Sequence, residues 1–184
     1  MSQHLFHRSA NRGDCFQPCR REYKIVDEEN NDLILGNEYV MSPKDLCTLP
    51  FINKLIEAGI TCFKIEGRAR SPEYVKTVTE CYREAIDACE KKEFSKELVD
   101  KLAAKLNSVY NRGFSRGFYF GTPTSDSFTG VHETKASTKK VYVGYVRKFY
   151  KQSMVAEVQL DAGKLKVGDK IMVQGQTTGV QEQI

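Results

Sequence analysis

No apolar run in the sequence reaches the roughly 18 residues that a membrane-crossing helix needs, because charged positions interrupt every one. Cysteine is scarce: 6 of 184 residues, about 3%, against the roughly 8–10% of a disulfide-built scaffold. The N-terminus MSQHLFHRSANRGDC has neither the apolar stretch nor the small-residue cleavage site of a secretory signal. These absences argue against a membrane-spanning helix and a disulfide framework. They lead us to expect a cytoplasmic protein whose thiols stay free, bind metal or do chemistry. Neither a G-x-S-x-G nucleophile elbow nor an H-E-x-x-H zinc motif occurs, so no familiar hydrolase signature is present.

What the chain does have is enough apolar content, 40% of residues, to bury a core. Its length suits one or two domains. The net charge of +4 is uneven. Residues 1–134 carry 19 basic and 20 acidic side chains, whereas residues 135–184 carry 9 and 4. A basic tail of this kind either meets a phosphate backbone or serves as ordinary solubilising charge.

Periodicity divides the chain into an α/β part and a β part. Residues 1–21 are basic and irregular, with Gly13, Cys15, Pro18 and Cys19 closely packed as in a shaped loop. Tyr23 to Val26 and Leu33 to Leu35 flank a polar turn and predict a hairpin, with a further short strand over Tyr39 to Met41. Apolar positions Phe51, Ile52, Leu55 and Ile56, stopped by Gly59, predict a short helix. ITCFKIE, residues 60–66, predicts a strand with Ile60, Cys62 and Lys64 on one face and Phe63 and Ile65 on the other. Ser71 and Pro72 open a second helix whose inward positions are Val75, Val78, Tyr82, Ala85, Ile86 and Cys89, with Cys81 and Cys89 read as core. A third begins near Ser95 and buries Leu98, Leu102, Leu106 and Val109. Residues 121–138 have no periodicity and predict a linker. From 139 onward the period becomes two, over Val141 to Tyr145, Met154 to Leu160 and Lys170 to Val173, which predicts an antiparallel module.

Three groups of residues are equipped for chemistry. Cys15 and Cys19 are spaced to turn two sulfurs toward one ion or cluster; His4 and His7 would complete a zinc site with them. Buried packing of both thiols is the plainer reading, and Cys15 with His4 or His7 as a cysteine-protease pair is another. Cys47 is a further candidate ligand. Lys64, Glu66 and Arg68 cluster at the end of the expected strand, where side chains of α/β folds converge on a crevice. There Lys64 and Glu66 would pair, and Arg68 with Arg70 would clamp a carboxylate or phosphate. The stretch NRGFSRGFYFG offers Arg112 and Arg116 to phosphates and its aromatics to bases, or else tucks those aromatics under the domain.

The segments NRGDCFQPCRREY, YVMSPKDL, KIEGRARSPEYVKTV, Tyr82 to Asp87 and NRGFSRGF occur in an order that resembles peptidase family U32, the collagenase-like peptidases. The resemblance covers about residues 8–120. It implies that residues 1–120 are the C-terminal portion of a TIM-like barrel whose earlier strands lie upstream of Met1. The tail, 139–184, is similar to the small β-barrel appended to many members and is expected to be incomplete. In several relatives cysteines matching Cys15 and Cys19 are held to bind a [4Fe–4S] cluster, with an upstream pair that this sequence lacks; zinc is the alternative.

The family name implies proteolysis, while other members resemble prephenate-dependent hydroxylases of tRNA and rRNA. The expectation is therefore a piece of an iron–sulfur-dependent RNA-modifying enzyme, inactive by itself. Lys64, Glu66 and Arg68 would serve the reaction, Arg12, Arg20, Arg112 and Arg116 would contact RNA, and an anionic small molecule would be co-substrate. The alternatives are a peptidase and a noncatalytic RNA- or ribosome-binding module.

Overall fold

The computed structural model describes residues 2–33, 39–68, 70–131, 134–175, 177 and 179–184. The chain is a mixed α/β protein that divides into two units, residues 1–137 and 138–184.

In the first unit the helices follow from the 3.6-residue spacing of apolar side chains. Leu49–Phe51 forms a single 3-10 turn that runs into α2 (Ile52–Glu57), the first helix of this unit's core. A short helix, α1 (Ser2–Phe6), precedes it near the N-terminus. α2 ends at Gly59, whose φ of +86° continues the chain in a left-handed conformation that a side chain would strain. α3 (Pro72–Glu90) starts with proline at its first position, where a missing N–H costs nothing; Ser71 adopts the extended N-cap conformation without a side-chain cap bond. α4 (Lys96–Asn107) is capped by Ser95, whose hydroxyl accepts from the Leu98 amide at 3.3 Å.

α3 and α4 pack against Leu49, Phe51, Ile52 and Leu55. Val78, Cys81, Ala85, Leu102 and Leu106 complete the buried core. The most buried line of α3 is Val78, Cys81, Ala85 and Ala88. Tyr82, Ile86 and Cys89 flank it, and Val75, expected inside, is 38% exposed.

Strands in this unit are short. β1 (Ile25–Val26) and β2 (Asp32–Leu33) form the expected antiparallel hairpin, with Ile25 opposite Leu33. Leu35 lies outside the described residues. Tyr39 to Met41 is a turn rather than a strand, closed by the Ser42 amide on the Tyr39 carbonyl at 2.9 Å. β3 (Asp45–Leu46) pairs in parallel with the distant β4 (Phe114–Ser115), with α2, α3 and α4 forming the crossover between them.

The strand expected over 60–66 is absent: these residues run extended but pair with no neighbour among the described residues. Their alternation survives, since Phe63 and Ile65 pack on the core while Cys62, Lys64 and Glu66 are exposed. Cys62 is thus not a core residue. A lone extended segment has inward side chains to bury but no ladder to complete its backbone bonds.

Several described residues of the 121–138 stretch, expected to be a linker, hydrogen-bond to this unit. The Lys44 amide donates to Ser127 O and the Thr129 amide to Ser42 O, each at 2.8 Å. The Ser137 amide reaches Asn107 O at 2.8 Å.

The second unit consists of two antiparallel hairpins, β5 (Gly144–Tyr150) with β6 (Val155–Leu160) and β7 (Ile171–Gly175) with β8 (Gly179–Gln183). Among the described residues they are separate two-stranded sheets. Gly144, at φ +156°, lies so close to β6 that a Cβ there would stand 1.9 Å from the Gln159 carbonyl oxygen. No described helix is long and apolar enough to cross a membrane.

Candidate functional site

The cysteine loop is shaped by turns on either side of Cys15. Ala10–Arg12 closes on Gly13 at φ +82°, and Pro18–Arg20 forms a second turn after Gln17, which itself sits at φ +49°. The Tyr23 hydroxyl ties that second turn down by donating to Pro18 O at 2.7 Å. Ser2, on α1, accepts from the Phe16 amide at 3.2 Å, and the Phe6 and Phe16 rings meet edge-to-face at 5.5 Å.

Cys15 is exposed and Cys19 half-buried. The Cys15 thiol is held below its ordinary value by the Gln17 amide, which donates to Sγ at 3.3 Å, then by the Ser2 hydroxyl and, more weakly, by the charge of Arg68. Each of these favours thiolate, the form that binds metal. Burial instead raises the other thiols that shift. Cys47 lies inside the core under the Tyr82 hydroxyl, 3.8 Å away, which places it where no ion reaches it from solvent.

His4 and His7 are exposed on and just after α1. Among the described residues no three His, Cys, Asp or Glu side chains converge in a way that would hold a metal ion. A [4Fe–4S] cluster takes four thiolates, of which Cys15 and Cys19 would supply two, so by chemistry the donor set would suit half of such a site.

Lys64, Glu66 and Arg68 lie exposed along the extended segment. Glu66 accepts from the Arg68 amide at 2.7 Å, which folds the segment back at Gly67 instead of forming the expected Lys64 ion pair. Gly67 sits under Val75, with room for no Cβ: one would lie 2.9 Å from Val75 Cγ2.

Arg70 turns away from Arg68 and enters a second cluster. Its Nη2 donates to Asp45 Oδ1 at 3.1 Å, and its guanidinium lies 5.1 Å from the Tyr74 ring and 4.4 Å from the Tyr110 ring. Arg112 reaches the same Asp45 twice, through Nη2 to Oδ1 and through its main-chain amide to Oδ2 at 3.0 Å. Arg20 donates to Ser42 Oγ at 3.0 Å and to Pro43 O at 3.4 Å. The cysteine loop, β3, the segment before α3 and the segment before β4 thus meet at one place.

Of the four arginines expected on RNA, Arg12 is exposed in the first turn, and Arg116 is exposed with its guanidinium 5.6 Å from the Phe120 ring. Arg20 and Arg112 are committed to the Asp45 cluster. Tyr119 and Phe120 contact Phe51 at 5.3 and 4.9 Å, yet both stay half exposed, and Phe118 is 79% exposed. The loop therefore tucks its aromatics only in part. It borders a mostly apolar groove of about 750 Å³ with Pro43, Leu46, Pro123 and Phe128. Asp45 falls within the YVMSPKDL segment, but nothing in the sequence singled it out from its neighbours as a functional residue.

Residues 1–129 match peptidase family U32. A protein named collagenase from Porphyromonas gingivalis is 44% identical over 181 residues, which cover 98% of this chain and 44% of that protein. The tRNA hydroxylation protein P1 of Bacillus subtilis is 45% identical over 93 residues, 48% of this chain and 22% of that protein. A 23S rRNA 5-hydroxycytidine synthase of Escherichia coli is 42% identical over 81 residues, 44% of this chain and 12% of that protein. The chain spans just under half the length of the collagenase-named relatives it matches. No solved structure matches it.

Proposed function

Because the chain belongs to peptidase family U32, we propose that the whole protein is an RNA-modifying enzyme that hydroxylates a base of tRNA or rRNA and uses a [4Fe–4S] cluster ligated in part by Cys15 and Cys19. The observation that carries this reading is the cysteine loop. It presents an exposed thiol biased toward thiolate beside a half-buried one, next to a concentration of arginines. The names of the two RNA-hydroxylation relatives support it. In this reading the first unit is the C-terminal part of a TIM-like barrel, and the second is part of a small β-barrel.

The cluster, when bound, supplies electron transfer. The chain's own residues do the rest. Ser2 and the Gln17 amide favour the thiolate form of Cys15. Lys64, Glu66 and Arg68 edge the substrate pocket, where Glu66 shapes the turn that presents Arg68. Arg12 and Arg116, both exposed, meet RNA phosphates.

The test is to prepare the complete protein without air and measure iron and sulfide per chain. Cys15→Ser and Cys19→Ser are each expected to remove most of both. Nucleosides from cells lacking the gene are expected to lack one hydroxylated base by mass spectrometry. An iron-free protein, or an unchanged nucleoside profile, overturns the reading.

A second reading, peptidase, is favoured by the collagenase-named relative that covers nearly the whole chain. It predicts that the purified complete protein cleaves denatured collagen, which the RNA reading does not.

A further inference from the structure

The groove beside the aromatic loop is tied down by main-chain bonds. One side is β3, held to β4 along one edge and to residues 127–129 along the other, through the Lys44 amide on Ser127 O and the Thr129 amide on Ser42 O, each at 2.8 Å. Pro43 pairs with Phe128 in an isolated antiparallel bridge. Gly117 lies so close to Leu46 that a Cβ there would stand 2.9 Å from Leu46 Cδ1, and its amide donates to Ser115 Oγ at 3.0 Å. A groove formed in advance loses little conformational freedom when it is filled.

Its surface is apolar and uncovered. Leu46, Phe118 and Tyr119 are 59%, 79% and 51% exposed, and with Pro43, Pro123 and Phe128 they line about 750 Å³ of space, within the roughly 300–1,000 Å³ typical of binding clefts. Large apolar side chains exposed side by side mark a contact surface, unlike the same residues scattered singly. The charge around them has one sign. Lys44 is the one charged residue lining the groove. Its stem runs beside that of Lys135 over Gly113, where an added Cβ would meet them at 3.5 and 3.6 Å. The Lys54 ammonium lies 5.5 Å from the Phe120 ring. None of these three lysines has an ion pair among the described residues. Stacking of nucleobases needs free ring faces. Here the Phe120 ring carries Lys54 and Arg116, and Tyr119 packs on Phe51. The side chains of a peptide need only apolar volume.

We propose that this groove docks a segment of a partner protein in which leucine or aromatic side chains are interspersed with glutamate or aspartate. The apolar side chains fill the space beside Leu46, Pro123 and Phe128, and the carboxylates meet Lys44 and Lys135. Those surface charges give the partner its register and speed its approach, while the apolar contacts hold it. The inference uses neither the cysteine loop nor Lys64, Glu66 and Arg68, so it rests on neither the hydroxylase nor the peptidase reading.

The test is fluorescence anisotropy of the full chain with a labelled synthetic peptide of glutamates interspersed with leucine and phenylalanine. The comparators are an all-glutamate peptide of the same charge, the same peptide with lysine for glutamate, and a single-stranded RNA oligonucleotide. Saturable binding of the first, at least tenfold tighter than any comparator, is expected. Phe118→Ser, at a side chain too exposed to support the core, and Leu46→Asp should each weaken it at least tenfold. Lys44→Glu should weaken the acidic peptide and favour the lysine one. Val167→Ser, which removes an exposed apolar side chain from the second unit, should match the wild type. Should Leu46→Asp fail to fold, movement of the Leu46 methyl resonances in the wild type decides. No saturable binding, equal binding of the all-glutamate peptide, indifference to Phe118→Ser, or an RNA that takes these residues in preference to the peptide overturns the proposal. Because the readout is peptide binding, its failure is separate from the absence of iron or of a modified base.

Discussion

Asp45 concentrates more of the first unit's polar bonding than any residue the sequence brought forward. It accepts from two guanidiniums and one main-chain amide while only 15% exposed. Asparagine in its place keeps the shape but leaves two half-buried cations facing a neutral group. Removing one partner of such a pair typically costs about 3–5 kcal/mol. Asp45→Asn is therefore expected to lower unfolding free energy by roughly that amount in denaturant titrations, while Asp87→Asn, on an exposed ion pair of α3, changes it little. Cys15, Cys19 and the charged KIEGRAR segment were legible because their residue types and spacing already carry chemistry. Asp45 was not, because its partners Arg70 and Arg112 are 25 and 67 residues away. In place of the expected Lys64 to Glu66 pair, the Glu66 carboxylate accepts from the Arg68 amide two residues on.

Helices α2, α3 and α4 were the most readable elements, since each carries its own apolar period and start or stop signal, whereas α1 fell within a stretch read as an irregular loop. Strands depend on partners elsewhere in the chain. That is why the alternation of 60–66 was right about Phe63 and Ile65 but wrong about a strand, and why the two-residue pairing of β3 with β4 left no mark in the sequence. α3 is also fastened to the turn before α2 through Tyr82, whose hydroxyl accepts from the Thr48 amide at 3.0 Å. Burial pushes this hydroxyl up from 10.0 to about 12. The folded state thus keeps a proton that the unfolded chain releases near 10.0. The stabilisation is complete below that pH and drains away as pH rises toward about 12. Tyr82→Phe has no proton to lose, so the stability gap between the wild type and this variant should shrink across that window, as followed by alkaline unfolding monitored by circular dichroism.

At the scale of the molecule, two units of different character share one chain, an α/β unit with a helical core and a basic unit of two hairpins. The change of period near residue 139 made that contrast visible in the sequence. The middle of the first unit is fastened over a long stretch of chain: Arg112 reaches back to Asp45, and Phe114 pairs with Asp45 in β3. Long-range closures of this kind come late, because the chain between them must be ordered first. A ribosome delivers the N-terminus first. Asp45 must therefore wait, its carboxylate in water, until the last strand of its unit has left the exit tunnel. Nascent chains stalled with residues up to Asn107 exposed should remain open to protease around Asp45, and those stalled beyond Ser137 should resist it. Synthesis itself would then act as a timer, keeping the arginine clasp unlatched until every helix it encloses has been made.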